Sequence, residues 1–186
     1  MADEAPVVES DDGERWVVVV DANVVKGLMQ AQQSSSHDCS GDPEEAFVLL
    51  TDGGAEVWLD RGGQMLSEWQ ACTQREWFGL WYSEFVQSTN VRHATVQPHD
   101  RLLRELRTTF GFPKSRDVWV LRTALTAAAD GDTELLTDDM DYFDPKKKSQ
   151  PKERQRHLKG AQVGAVRRRL KSERVKVLSV HQFVLG

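Results

Sequence analysis

Apolar positions along this chain fall into two kinds of pattern. WVVVVD, Trp16 to Asp21, is a β-branched run without alternation, as expected of a strand buried on both faces in the middle of a parallel sheet. AEVWL at 55–59, TELLT at 133–137 and VKVLSV at 175–180 are further short strand-like runs, and a weaker one spans Val91 to Val96. Between these runs the spacing turns helical. Residues 23–30 read as a helix. PEEAFVLL opens a second with Pro43 and two glutamates, and Gly53-Gly54 stops it. Asp60 to Gly63 reads as a turn. Gln64 to about Gln87 reads as one long helix, with Met65, Trp69, Cys72 and Glu76 on one stripe and Leu66, Phe78 and Trp81 widening its apolar surface. His99 to Thr108 sets Leu102, Leu103 and Leu106 on one face. Ser115 suits the N-cap of a helix from Arg116 to about Ala129, buried along Val118, Leu121, Leu125 and Ala128 and ended by Gly131.

Strands alternating with helices need crossover connections, which makes this an α/β fold with a parallel sheet. The chain's 186 residues suit one core. The expected organisation is an acidic tail at 1–14 and a single domain at 15–186. Within the domain lie a polar loop at 31–42 and a basic insertion at about 146–174, before the last strand. KKKSQPKERQRHLK, from Lys146, reads as a solvated, flexible run. AQVGAVRRRLKSER reads as helical, docking through Val163, Val166 and Leu170.

Charge changes this picture. The chain carries 24 Lys and Arg against 29 Asp and Glu, a net −5, which by itself speaks against a nucleic-acid partner. The distribution speaks for one. Lys146 to Lys176 holds 13 basic residues and two glutamates, a net +11, and the remainder carries −16. A run of this kind beside an acidic site suits a clamp on a phosphate backbone, with salt-sensitive and largely sequence-independent binding. The clamp would draw on Lys146, Lys147, Lys148, Lys152, Arg154, Arg156, Arg167, Arg168 and Arg169. Docking of an acidic partner, or of the acidic N-terminal tail, is the competing use.

The acidic start lacks the basic and apolar regions of a signal peptide, and no apolar run approaches the ~18–20 residues of a membrane span. Cys39 and Cys72 have no metal-ligand spacing and read as free thiols. The expectation is a cytoplasmic protein without a membrane partner. His93 and His99 read as surface histidines. Trp69, Trp77 and Trp81 would share one helix, a candidate homodimer face.

In an open parallel sheet, ligands bind outside the carboxyl ends of the strands. Asp21 directly follows the first strand, with Asn23 two residues on. Asp139 lies just past TELLT, in Thr137-Asp138-Asp139-Met140-Asp141. Asp117 falls in the first turn of a helix, and Glu68 in the first turns of the helix after the second strand. Singly, each has an ordinary explanation as a turn former, cap or solvated acid. Jointly, four carboxylates converging on one cleft would repel one another unless a divalent cation such as Mg²⁺ or Mn²⁺ held them. Such a site suits phosphodiester hydrolysis.

VVVVDAN (17–23), LSEW (66–69), SRDVWVLRTAL (115–125) and LLTDDMDYF (135–143), in this order, resemble a PIN-domain nuclease, the family of VapC-like toxins. In the last motif Thr137, Asp139 and Asp141 match the family's T-x-D-x-D pattern. The resemblance spans roughly residues 15–145 and the last strand. It implies a three-layer α/β/α sandwich and a metal-dependent endoribonuclease, with single-stranded RNA as substrate and Mg²⁺ or Mn²⁺ as cofactor. It makes Asp21, Glu68, Asp117 and Asp139 the catalytic metal ligands, Asp141 a fifth ligand, and Asn23 and Thr137 orienting residues. A protein inhibitor of antitoxin type would be a further partner. The polar loop and the basic insertion exceed the minimal toxin form. Two other functions fit the residues: a non-catalytic RNA-binding or scaffold protein on the same fold, and a DNA- or structure-specific nuclease.

Overall fold

The computed structural model describes residues 15–34, 42–114, 118–160 and 163–186. Its centre is a five-stranded sheet of β1 (Val17–Val20), β2 (Glu56–Asp60), β3 (Asn90–Ala94), β4 (Thr133–Leu136) and β5 (Val175–Leu178). The strands lie in the order β3-β2-β1-β4-β5, and every neighbouring pair is parallel. Helices flank the sheet, so the expected α/β/α sandwich is the fold. Valines 17 to 20 are all buried, as the unalternated run requires of a central strand. β3 holds one edge of the sheet and β5 the other. The short, charged sequence of β3, with Arg92 and His93 exposed, explains its faint signal and suits an edge that must not recruit another strand.

The helices are α1 (Ala22–Gln33), α2 (Asp42–Asp52), α3 (Gln64–Ala71), α4 (Arg75–Ser88), α5 (Asp100–Glu105), α6 (Val118–Ala127), α7 (Pro151–Leu158), α8 (Ala165–Lys171) and α9 (Val180–Leu185). A wide π turn, Leu106–Phe110, continues α5. α6 lies against β1, β2, β3 and β4, and beyond Leu121 and Leu125 it also buries Val120, Thr123, Ala124 and Ala127. Among the described residues no helix is long and apolar enough to cross a membrane.

Several expectations need correction. The single helix over 64–87 is two. The hydroxyl of Thr73 (2.8 Å) and the thiol of Cys72 (3.2 Å) both donate to the Trp69 carbonyl, competing with the helix ladder. Gln74 is then extended and caps α4. Trp69 is fully buried, with its indole N–H on the Val20 carbonyl at 3.2 Å, so it belongs to the core and not to a dimer face. Half-buried Trp77 and Trp81 stack on each other, and Trp77 donates to Gln32.

The last strand stops at Leu178. Ser179 and Gln182 form a reciprocal capping box that starts α9. The basic run is folded: Asp144 caps a turn at Pro145–Lys147, and α7 follows with His157 buried. Val166 and Leu170 dock α8 as expected, whereas Val163 is exposed. Gly164 joins the two halves, where a Cβ would run into the Phe143 carbonyl. That carbonyl accepts from the Val166 N–H at 3.1 Å. The basic segment is thereby fastened to the end of the acidic loop. The tail 1–14, most of the polar loop (35–41, with Cys39), and Ser115, Arg116 and Asp117 lie outside the described residues.

Candidate active site

From β1 the sheet grows outward through β2 and β3 on one side and through β4 and β5 on the other. The order therefore reverses between β1 and β4, and the crevice beyond their carboxyl ends is where an open α/β sheet binds ligands. Asp21 ends β1, with its main-chain N–H on the Leu136 carbonyl at 3.0 Å, and its carboxylate is nearly buried at 5 % exposure. Thr137, fully buried, ends β4.

One hydroxyl organises the crevice. Thr137 Oγ1 donates to Asp21 Oδ2 at 2.6 Å and accepts from the Asp139 main-chain N–H at 3.0 Å. Asn23, half-buried in the first turn of α1, donates through Nδ2 to Asp21 Oδ2 (2.9 Å) and Thr137 Oγ1 (3.2 Å). Its Oδ1 accepts from the Asp138 N–H at 3.2 Å. Asp21 and Asp139 are thus tied to a single side chain from opposite strands. Asp139 caps the following turn, its Oδ1 accepting from the Asp141 N–H at 2.9 Å.

Glu68 lies on α3, one residue before the tryptophan that pins this helix to the end of β1. Burial pushes the Cys72 thiol above its ordinary value, Lys26 pulls it back, and the charges of Asp21 and Glu68 add smaller upward pushes. Asp141 is buried at the far side. Burial first, and the Asp139 charge next, hold its carboxyl above the ordinary range, while Lys148 pulls it down. Lys148 Nζ sits 3.2 and 3.5 Å from the two Asp141 oxygens. Asp138 turns away: its carboxylate accepts from the Val180 N–H at 2.9 Å, and burial raises its pKa. The sequence offered no sign of that capping role, which depends on α9 arriving beside β4.

The expected backbone-binding cations divide into groups. Lys148 and Arg154 reach the acidic loop itself, Arg154 through the Asp138 carbonyl at 3.3 Å. Lys152, Arg156 and Ser149 line a hollow of about 570 Å³ over the start of α7. Lys147 and Arg156 share Glu153, and Lys146 reaches the Thr109 carbonyl. Arg168 is exposed, and half-buried Arg167 lies 5.8 Å over the Phe143 ring. Arg169 departs from its expected role. Its Nε and Nη2 donate to Glu105 (2.7 and 3.0 Å) and its Nη1 to Glu173 (2.7 Å), fastening α8 to α5.

The donor set bears on the implied metal. Its groups are oxygen-only, which suits a hard divalent cation. Among the described residues no three His, Cys, Asp or Glu close on one point. A Mg²⁺ site, however, commonly takes one or two carboxylates and completes its shell with water and substrate phosphate. Asp21 meets Thr137 through its carboxylate, whereas Asp139 meets it through its main-chain N–H. The chain has no match among protein-family models, curated proteins or solved structures.

Proposed function

We propose that this protein is a PIN-like, Mg²⁺- or Mn²⁺-dependent endonuclease acting on RNA. The observation that carries the reading is the coupling of Asp21 and Asp139 through the Thr137 hydroxyl at the point where strand order reverses. Asp21, Glu68 and Asp139 would hold the cation, with Asp117 as the further acid that the sequence pattern supplies. A cation bound there would supply an activated water and charge stabilisation at the leaving oxygen.

The chain's own groups do the rest. Asn23 and Thr137 donate to Asp21, fixing the orientation of its carboxylate through neutral donors that add no competing positive charge. The Asp139 cap fixes the second acid by its own loop. Lys148, Arg154, Lys152 and Arg156 offer charge for the phosphates on either side of the scissile bond.

The test is cleavage of labelled RNA and DNA with Mg²⁺, Mn²⁺ or EDTA, by wild type, Asp21→Asn and Asp139→Asn. Metal-dependent cleavage of RNA lost in both variants supports the reading. Equal cleavage by wild type and both variants ends it, and preference for DNA or for branched substrates moves it to a DNA- or structure-specific nuclease. A second reading, RNA binding without catalysis, is favoured by the Lys148 ammonium on the Asp141 carboxylate. It predicts RNA binding that persists in EDTA and no thermal shift with metal.

A further inference from the structure

Asp100 to Lys114 carries four cations and two acids, and both acids are occupied from other helices. Asp100 accepts from Arg122 at 3.0 Å, and Glu105 is held on both oxygens by Arg169. The side chains of Arg101, Arg104, Arg107 and Lys114 make no hydrogen bond or ion pair among the described residues. Arg101, Arg104 and Arg107 stand three apart, so each neighbours the next along the flank that buried Leu102, Leu103 and Leu106 leave free. Arg101 and Arg104 are exposed. Arg107, in the π turn, is half-buried, and its Nε is shut off from solvent with no hydrogen-bond partner. A guanidinium in that setting is destabilising until an anion completes it, and π turns gather at functional sites.

The same turn adjoins the candidate site. Lys146 Nζ donates to the Thr109 carbonyl at 3.3 Å, and its stem lies beside Gly111. Phe112 then meets Tyr142 of the acidic loop edge-on, with ring centroids 5.3 Å apart. Lys146 thereby joins the cations of the basic segment to those of α5. We infer that Arg101, Arg104 and Arg107 form a second track for the RNA backbone, extending the substrate path from the acidic loop along α5. The inference rests on the RNA reading above. The three arginines spread over about 9 Å of helix axis, more than one phosphate group covers, so the spacing suits successive phosphates of a strand. Arg169 serves this track as a positioning residue. By holding both oxygens of Glu105 it keeps that acid from Arg101, four residues before it.

The test is fluorescence anisotropy of a labelled oligouridylate on the whole protein, in EDTA, over a series of monovalent salt concentrations. Each lost contact to a single-stranded phosphate makes the slope of log affinity against log salt shallower by about 0.7. Arg101→Gln/Arg104→Gln/Arg107→Gln should therefore flatten the slope by about two. Arg101→Gln/Arg104→Gln changes exposed residues alone, which guards against a folding fault, and should flatten it by about 1.4. Arg15→Gln/Arg174→Gln/Lys176→Gln makes the same charge change near the amino ends of the strands and should leave the slope near wild type. An unchanged slope in both α5 variants, or equal flattening in the control, overturns the track, while metal-dependent cleavage by wild type leaves the nuclease reading standing. A loss seen on anionic phospholipid vesicles and not on RNA also overturns it, in favour of a membrane surface. No RNA binding and no cleavage by wild type overturns both.

Discussion

Two aspartates end neighbouring parallel strands and are almost equally buried, yet they are held in opposite ways. Asp60, at the end of β2, gives one oxygen to the Gln64 N–H (2.9 Å) and the other to the Met65 N–H (2.7 Å). It is consumed by the first turn of α3, a helix start with no better cap at Gly63. Asp21, at the end of β1, takes side-chain donors from Asn23 and Thr137, the latter arriving from β4 across the reversal of strand order. A carboxylate whose two oxygens close a helix is a structural part. One oriented by a side chain from α1 and another from the end of β4, with the Asp139 main-chain N–H on the same hydroxyl, is held as the proposed chemistry requires.

The sharpest way to break this contrast is to neutralise each acid. Asp21→Asn keeps shape and burial, so circular dichroism should match wild type while metal-dependent RNA cleavage falls to background. Retained cleavage would put the chemistry elsewhere. Thr137→Val, which keeps the volume but removes the hydroxyl shared by the two strands, should reduce cleavage strongly. It should also cost about 1–3 kcal/mol in denaturant unfolding, because the Asp139 N–H loses its acceptor and Asp21 and Asn23 each lose a partner. Asp60→Ala should do the reverse. It should cost about 1–2 kcal/mol through the lost cap and lower the melting temperature, while the folded fraction still cleaves.

The smallest effect lies away from both acids. His99, in the left-handed region at the start of α5, is held below its ordinary pKa by burial and then by Arg122. Its unfolded form therefore takes up a proton at higher pH than its folded form. The stability tied to His99 is full above about pH 6.5 and is lost as pH falls from there through the lowered value. His99→Asn, which tolerates the same backbone, should flatten that decline. Equal pH dependence in unfolding curves of both proteins would remove His99 as the cause.

Much of the architecture was legible in short stretches because local patterns carried it. Valines 17–20 without alternation, TELL and VKVL marked three strands of the sheet, and Pro43 with its glutamates marked α2. The break after Ala71 was not legible. It depends on Cys72 and Thr73 capturing one carbonyl, and on the Gln74 N–H meeting Met29 of another helix. The first half of the basic run, KKKSQPKERQRHLK, read as solvated because it is almost wholly polar. The order of the run comes from Gly164 against Phe143, the burial of His157, and the Ser179 hydroxyl on the Leu158 carbonyl, all distant in sequence.

For the candidate site the division is similar. The amino-acid order alone determined which acids stand at strand ends, that Asn23 and Thr137 accompany them, and that the positive charge is gathered after residue 145. Those are properties of neighbours along the chain, set by period and spacing. Only the tertiary structure decided that Thr137 joins Asp21 to Asp139, that Asp60 closes a helix, that Arg169 is bound to Glu105 and Glu173, and that Lys148 rests on Asp141. A carboxylate's role is set by which donors surround it and how much water remains, and both are fixed when distant strands and turns meet.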